Sequence, residues 1–564
     1  MPPKRDAAGS AGSADGAPPT KRFRTSMLDK FLSSKLSGKE TRELLEDAHA
    51  AGAKHIGDLA KVGRSGARPG NICRDLLRKA CRPHRKFWPP FYWAPVTLYD
   101  SKKQEEISVN IPFLLPHLVL HYWIKERPAL LPRLRPTSDL QLQALRDTAR
   151  MMKCAPEDIV VFGLHGDGVP FNRQRTQTLE VLSMNWPAFV ESGKKTRVPI
   201  TGLPRHWVAQ DKTWDELLSI IAWSFRMLAL GTHPTRRHDG KAFKERHIMS
   251  KLAGQKMISR GALLEIRADW AFFKESLRLP SWQGNWCCWL CTAGGADLRS
   301  VGMAAAWRSA RLSHQQCADR ITARGLKLSP IFSIPGVTVH SCLPDWLHTA
   351  DLGISSDALG STMWVVLEKK MPGASRNDRL KNLWAHMRAY YAEHQPSSRL
   401  DALTVTMIKQ DKKYPKLRCK AGEARDLIPW LKALAEEFFD VADPYEGAII
   451  ALSRELSSCY SCLYAFDPEK LKQSARRFAA LYVQLERYHP DDWRVKPKLH
   501  LFLELCEFVA PLRGSPTLFW TYRDEDAGGE CAHMANRRGG PHTAKAVASS
   551  LLSRFIARNR APTA

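Results

Sequence analysis

IVVFGLHGDGVPF, residues 159–171, opens as six residues without a charge and ends on a carboxylate held between two glycines. β-Branched and aromatic residues over 159–164 predict a strand, with Asp167 at its end. The chain then turns through Val169-Pro170-Phe171-Asn172, and a second apolar run, TLEVLSM at 178–184, predicts the returning strand of a hairpin. Taken alone, Asp167 reads as a turn residue that caps its own backbone. A chemical role for it requires partner carboxylates further along the chain.

The 564 residues suffice for two to four domains, and 44% hydrophobic content with 18 Trp supplies a large core, which excludes a disordered chain. A formal net charge of +28 favours polyanionic partners, among which nucleic acid is the commonest. A merely soluble cationic protein carries the same charge, so charge alone does not decide. The 13 cysteines, spread over a long chain without a signal peptide, point to a reducing compartment with thiols free or on metal. The most apolar stretch, NIPFLLPHLVLHYWI at 110–124, is too short to span a bilayer, so no membrane partner is expected.

Residues 1–37 read as a disordered basic tail. Its clusters Lys4-Arg5 and Lys21-Arg22-Phe23-Arg24, fifteen residues apart, suit a two-part nuclear import signal and hence an import carrier and a nuclear location. Residues 27–32, MLDKFL, read as a short docking helix for a nuclear partner. Residues 38–154 form a helical N-terminal region, interrupted by CRPHRKFWPPFYW at 81–93, where basic and aromatic residues interleave. That segment suits contact with DNA, and equally the packing of Trp and Pro against a helix. Cys73, Cys81 and His84 have irregular spacing and read as structural. Ser138 to Gln141 form a capping box that opens an amphipathic helix.

After the hairpin, Thr213 to Glu216 open an apolar helix that Gly231 and Pro234 end. A further apolar run at 262–268 leads into Asp269. Strand with Asp167, hairpin, helix, strand with Asp269 is the order in which a ribonuclease H-like fold places its first two acids. Cys288 and Cys291 form a CxxC whose thiolates can share one tetrahedral zinc, with His340 and Cys342 as the expected further ligands. Cys459 and Cys462 are the alternative pair, in a helical pattern where such cysteines are usually just buried. Asp345 and His348, three apart, share one side of a helical turn, either as a capping Asp with a buried His or as a pair orienting an active-site carboxylate or the attacked phosphate. Residues 354–511 read as an all-α insertion. Beyond it, FWTYRDEDAGGE at 519–530 opens a late helix, where Glu525 is the expected third acid with Asp524 and Asp526 as competitors.

The order GDGVPF, ADWAFFKE, CCWLC, PDWLHTADLG, helical insertion, FWTYRDEDAGGE resembles that of eukaryotic cut-and-paste DDE transposases, the CACTA and Plavaka/Kyakuja-Dileera-Zisupton groups in particular. The resemblance covers residues 155–540. It implies an α+β protein whose ribonuclease H-like core, begun at 155–353, is interrupted by the insertion at 354–511 and resumes at 512–564 with the helix bearing the third acid. Carried over residue by residue, Asp167, Asp269 and Glu525 hold two Mg²⁺ or Mn²⁺ ions for DNA strand cleavage and strand transfer. Asp345 and His348 match an accessory Asp-x-x-His, with Asp345 in reserve as the second acid. No DNA-binding finger precedes the core, a departure from the family. The expected partners are double-stranded DNA, the import carrier and a second copy of the chain. The alternatives are a domesticated descendant that binds DNA without cutting, and a zinc-stabilised nuclear scaffold.

Overall fold

In a computed structural model, which describes residues 19–64, 70–172, 174–189, 196–245, 247–536 and 543–559, helix α1 (Pro19–Leu32) stands where a disordered tail was expected. The Lys4-Arg5 half of the import signal lies outside the described residues. Met27, Phe31 and Leu32 of α1 are buried in an apolar cluster with Leu45, Ile56, Leu59 and Leu76, so the expected docking segment is core. Lys21 and Arg22 remain exposed.

The N-terminal region also departs from an all-helical reading, because β1 (Tyr92–Asp100) and β2 (Glu105–Phe113) form an antiparallel hairpin. Trp88, ahead of β1, packs edge-on against Trp123 at 5.5 Å and Phe555 at 5.4 Å, and its indole N–H donates to the Asn559 carbonyl. Packing therefore accounts for Trp88, while Trp93 stays 37% exposed. Helix α2 (Pro116–Glu126) starts on a proline, which suits a first turn whose N–H groups have no helical partner.

The charge-free run becomes β3 (Ile159–Pro170), antiparallel to β4 (Thr178–Asn185) as expected. Asp167 faces Val181 across the pair, three residues inside the strand and not at its end. The sequence VPITGLP, with two prolines, conceals β5 (Val198–Pro204). β5 occupies an edge of the sheet, the place where a strand tolerates proline. Helix α3 (Gln210–Leu230) ends on Gly231 at φ +68°, a left-handed turn that favours glycine. Strand β6 (Arg260–Ala268) leads through Asp269 into α4 (Trp270–Leu277), and β7 (Cys342–Leu343) is short. The five strands form one mixed sheet in the order β5-β4-β3-β6-β7, which makes the protein α+β.

From Ser356 on, the chain is helical as expected, with Pro444–Tyr464 and Pro468–Tyr488 the longest helices. Asp467 caps the latter by accepting from the Lys470 N–H, and Leu471, Ala475, Phe478, Tyr482 and Leu485 form its buried stripe. Two helices, Ala421–Asp426 and Ile428–Phe438, meet at Leu427, where Pro429 falls in the first turn of the second. Helices α5 (Pro497–Glu504), α6 (Tyr522–Ala535) and α7 (Ala544–Arg558) follow. Among the described residues no helix is long and apolar enough to cross a membrane.

The chain divides into two compact units. The first takes in residues up to Ile266, Ser329–Val337 and everything from Arg523; the second comprises Arg267–Leu328 and Thr338–Tyr522. In the first, α7 packs on β2 and β5, and Arg554 donates to Ser34 and lies over the Phe31 ring.

Three histidines of the first unit give it a pH dependence. His117 and His121 of α2 lie beside His233, with His117 Nδ1 2.7 Å from Ser224 Oγ and His233 Nε2 3.2 Å from His121 Nδ1. Burial lowers all three, His117 well below the ordinary value and His233 to about 4, and Lys125 adds to the lowering at His121. An unfolded chain binds protons here below pH ~6.5 while the folded one does not, so stability is retained above that value and lost as pH falls toward about 4. The expected result is a falling unfolding midpoint from pH 7 to pH 5, with a shallower fall in His233→Gln.

Candidate metal centre and carboxylate sites

Odd-numbered residues of β3 share one face of the sheet, so His165, Asp167 and Val169 lie in a row. Helix α6 runs along that row. Glu525 Oε1 is 4.0 Å from His165 Nε2, and a side chain on Gly528 would begin 3.2 Å from the Val169 methyl. Gly163, in the same row, admits no side chain, because a Cβ there would fall 2.3 Å from Asn185 Oδ1. Asn185 and Arg197 in turn donate to Asp524 Oδ1 at 3.0 and 3.2 Å, and Asp524 is fully buried. The three crowded acids thereby separate: Asp524 ties α6 to the sheet, Asp526 is exposed, and Glu525 is half-buried beside the face that carries Asp167. The Asp167 carboxylate is half-buried and makes no hydrogen bond or ion pair among the described residues.

Two further acids of this unit escaped sequence reasoning. Glu180 of β4, paired with Arg205 at 3.1 Å, and Glu265 of β6 are both buried. A glutamate inside an apolar strand, as in TLEVL and LLEIR, was the available signal.

Asp269, Asp345 and His348 belong to the second unit. Asp269 caps α4 by accepting from the Phe272 N–H at 2.6 Å. Asp345 is buried and accepts from the His348 and Thr521 N–H groups and the Thr521 hydroxyl, all at 2.9 Å, with His348 Nδ1 at 2.8 Å. Burial alone raises an aspartate, but these bonds, led by that from His348, hold Asp345 below the ordinary carboxylate value. Both the expected second acid and its reserve line one cavity of about 440 Å³, together with His348 and Lys498. Burial brings the Lys498 ammonium down to about 8, and it donates to the His348 carbonyl at 2.6 Å.

The CxxC acquires partners other than those expected. Its thiols meet His500 and Glu504, one turn apart on α5, and the ligand atoms of all four residues lie within 4.8 Å of one another. Cys291 Sγ is 3.3 Å from His500 Nε2, and Cys288 Sγ is 3.7 Å from Glu504 Oε1. His340 and Cys342 are not part of this cluster: Cys342 is buried with its carbonyl accepting from Trp289, and the His340 carbonyl accepts from Arg513. Cys459 and Cys462 are buried along their helix, as the alternative reading allowed.

This donor set fits zinc. A Zn–S bond of ~2.3 Å and a Zn–N bond of ~2.0 Å place tetrahedral ligands within reach of one another at the separations seen here. Charge fits as well, since Arg311 binds both Glu504 oxygens at 2.7 and 2.8 Å. A divalent ion, two thiolates, one carboxylate and one guanidinium sum to zero, which removes most of the penalty for burying them. Burial alone raises Glu504, but His500 and Arg311 bring it down to about 2; burial alone lowers His500, but Cys291 and Glu504 bring it up to about 9.

Compared with known proteins, the chain matches no family model, and no curated protein is significantly similar to it. Its chemistry is read from its own side chains. They offer oxygen donors suited to hard cations at Asp167 and Glu525 in the first unit and at Asp269 in the second, and a sulfur and nitrogen set suited to zinc.

Proposed function

We propose that the protein is a metal-dependent DNA phosphoryl transferase of the DDE type, cleaving a DNA strand and transferring it, with Asp167 and Glu525 among its acids. One observation carries the reading: α6 sets Glu525 beside the same face of β3 that bears Asp167. Two acids far apart in sequence thus share one helix–strand contact, while the adjacent Asp524 is taken up by a structural ion pair. The strand order adds support, since a first hairpin with later strands added beyond its first strand is the arrangement of a ribonuclease H-like core.

Carboxylates are the ligands that Mg²⁺ and Mn²⁺ prefer, and such ions held by these acids would supply Lewis-acid chemistry for in-line displacement at phosphorus. The chain's own side chains do the rest. Asp345 fixes the tautomer and direction of His348, as a buried carboxylate does for a functional imidazole. The lysines of the cavity offset phosphate charge, and a net charge of +28 holds the duplex in a salt-sensitive manner. Zinc at Cys288, Cys291, His500 and Glu504 is structural, joining α5 to the loop after α4. A nuclear location, carriage there by the two-part signal of Lys4-Arg5 and Lys21 to Arg24, and action as more than one copy complete the reading.

The deciding experiment is Mg²⁺-dependent nicking of supercoiled plasmid. Activity is expected in the parent and absent in Asp167→Ala and Asp269→Ala, with DNA binding kept in both. Binding without nicking in the parent would leave the non-cutting descendant, and salt-insensitive association with no DNA shift would leave the scaffold.

A further inference from the structure

We propose that the cavity of the second unit takes a single nucleotide drawn out of the DNA stack, its base against tryptophan and its phosphate on lysine. The inference deepens the phosphoryl-transfer reading and rests on it for the source of the nucleotide. The lining divides into two chemical parts. One is aromatic: Trp270 lies edge-on to Trp282 at 5.6 Å and to Trp289 at 6.3 Å. The indole N–H groups of Trp270 and Trp289 are already satisfied by the carbonyls of Pro280 and Cys342, so what these rings present is apolar surface without polar demand. Trp282 is 40% exposed and marks where the cavity meets solvent.

The other part is cationic. Lys496 and Lys416 gather on Asp357 at 2.7 and 3.5 Å, while Lys416 and Lys498 donate to the carbonyls of Leu352 and His348 at 2.7 and 2.6 Å. An ammonium has three N–H donors, so each lysine keeps at least one for an incoming oxyanion. Asp345 is already saturated by His348 and Thr521 and does not compete for them.

A bare phosphate makes no use of the tryptophans, and a purely apolar ligand makes no use of the ammoniums. A nucleotide uses both, because its flat base stacks on aromatic rings in a sequence-tolerant way while its phosphate needs cations. A volume of about 440 Å³ sits low in the range of ligand pockets, ~300–1,000 Å³, and cannot admit a duplex. The nucleotide therefore has to leave the stack, as enzymes acting on a single base arrange by extruding it.

The test is calorimetric titration of the full chain, without added Mg²⁺, with thymidine 5′-monophosphate, thymidine and inorganic phosphate. The monophosphate is expected to bind at least tenfold tighter than either fragment. Trp282→Ala should weaken the monophosphate at least fivefold and leave inorganic phosphate unchanged; Lys498→Met should weaken both and leave thymidine unchanged. Trp282 is exposed enough for its replacement to spare the fold, which a melting curve checks. Equal affinity for phosphate and monophosphate with Trp282→Ala silent, or no binding of the monophosphate, overturns the inference. Nucleotide binding in a chain that never nicks DNA keeps the pocket and sinks the phosphoryl-transfer reading, whereas nicking without nucleotide preference sinks the pocket alone.

Discussion

Glu525→Gln is expected to abolish Mg²⁺-dependent nicking, by a thousandfold or more, while its melting curve overlays that of the parent. Such a loss is ~4 kcal/mol of barrier, the scale on which a metal-holding carboxylate acts. Gln keeps the size of the side chain and removes only its charge, and the half-buried position beside His165 tolerates the change. Asp524→Asn should do the reverse. Its carboxylate is buried against Arg197, itself only 6% exposed, and neutralising it removes one charge of a buried ion pair, at a cost of ~3–5 kcal/mol. Urea unfolding and plasmid nicking measured on both variants separate the neighbours. A fully active Glu525→Gln removes Glu525 from the site.

Metal removal is expected to have the second large effect. The isolated protein should carry one zinc per chain by elemental analysis, and Cys291→Ser or a strong chelator should lower the unfolding midpoint of the second unit by ten degrees or more. Structural zinc sites bind with ~10–16 kcal/mol in free peptides, and part of that free energy is folding free energy. Without the ion, two thiols, His500 and Glu504 must stay buried together with only Arg311 to offset their charge. Cys342→Ser should leave the zinc content unchanged, because that thiol lies outside the cluster. Zinc-free protein as isolated, with a Cys291→Ser melt identical to the parent's, would end the structural-zinc reading.

The parts of the fold legible in the sequence are those whose signal is local. The β3–β4 hairpin shows because a charge-free run meets Gly-Asp-Gly, and the helix after Asp467 shows because cap, proline and apolar stripe coincide. Helix α1 does not show, since three apolar residues among many basic ones become a core only once Leu45, Leu76 and Ala557 arrive from elsewhere. Strand β5 hides behind its prolines. At the sites, Asp167 and Glu525 were readable as a strand acid and a late helix acid, but that the neighbouring Asp524 is engaged by Arg197 was not, since the two stand 327 residues apart. The buried Cys/His/Glu cluster was only half readable. Cys288 and Cys291 announce themselves by spacing, whereas His500 stands 209 residues from Cys291. The clue was a His and a Glu one turn apart on an otherwise apolar helix, and proximity in sequence pointed instead to His340 and Cys342.

Helices α6 and α7 complete the first unit only after the whole second unit has been spelled out, and this has a consequence for biosynthesis. A nascent chain on the ribosome leaves open the surfaces of β2 and β5 on which α7 packs until Ala544–Arg558 emerge, and apolar surface exposed in this way is what chaperones attend. During the same interval Asp167 exists without Glu525 beside its strand, because α6 is made late.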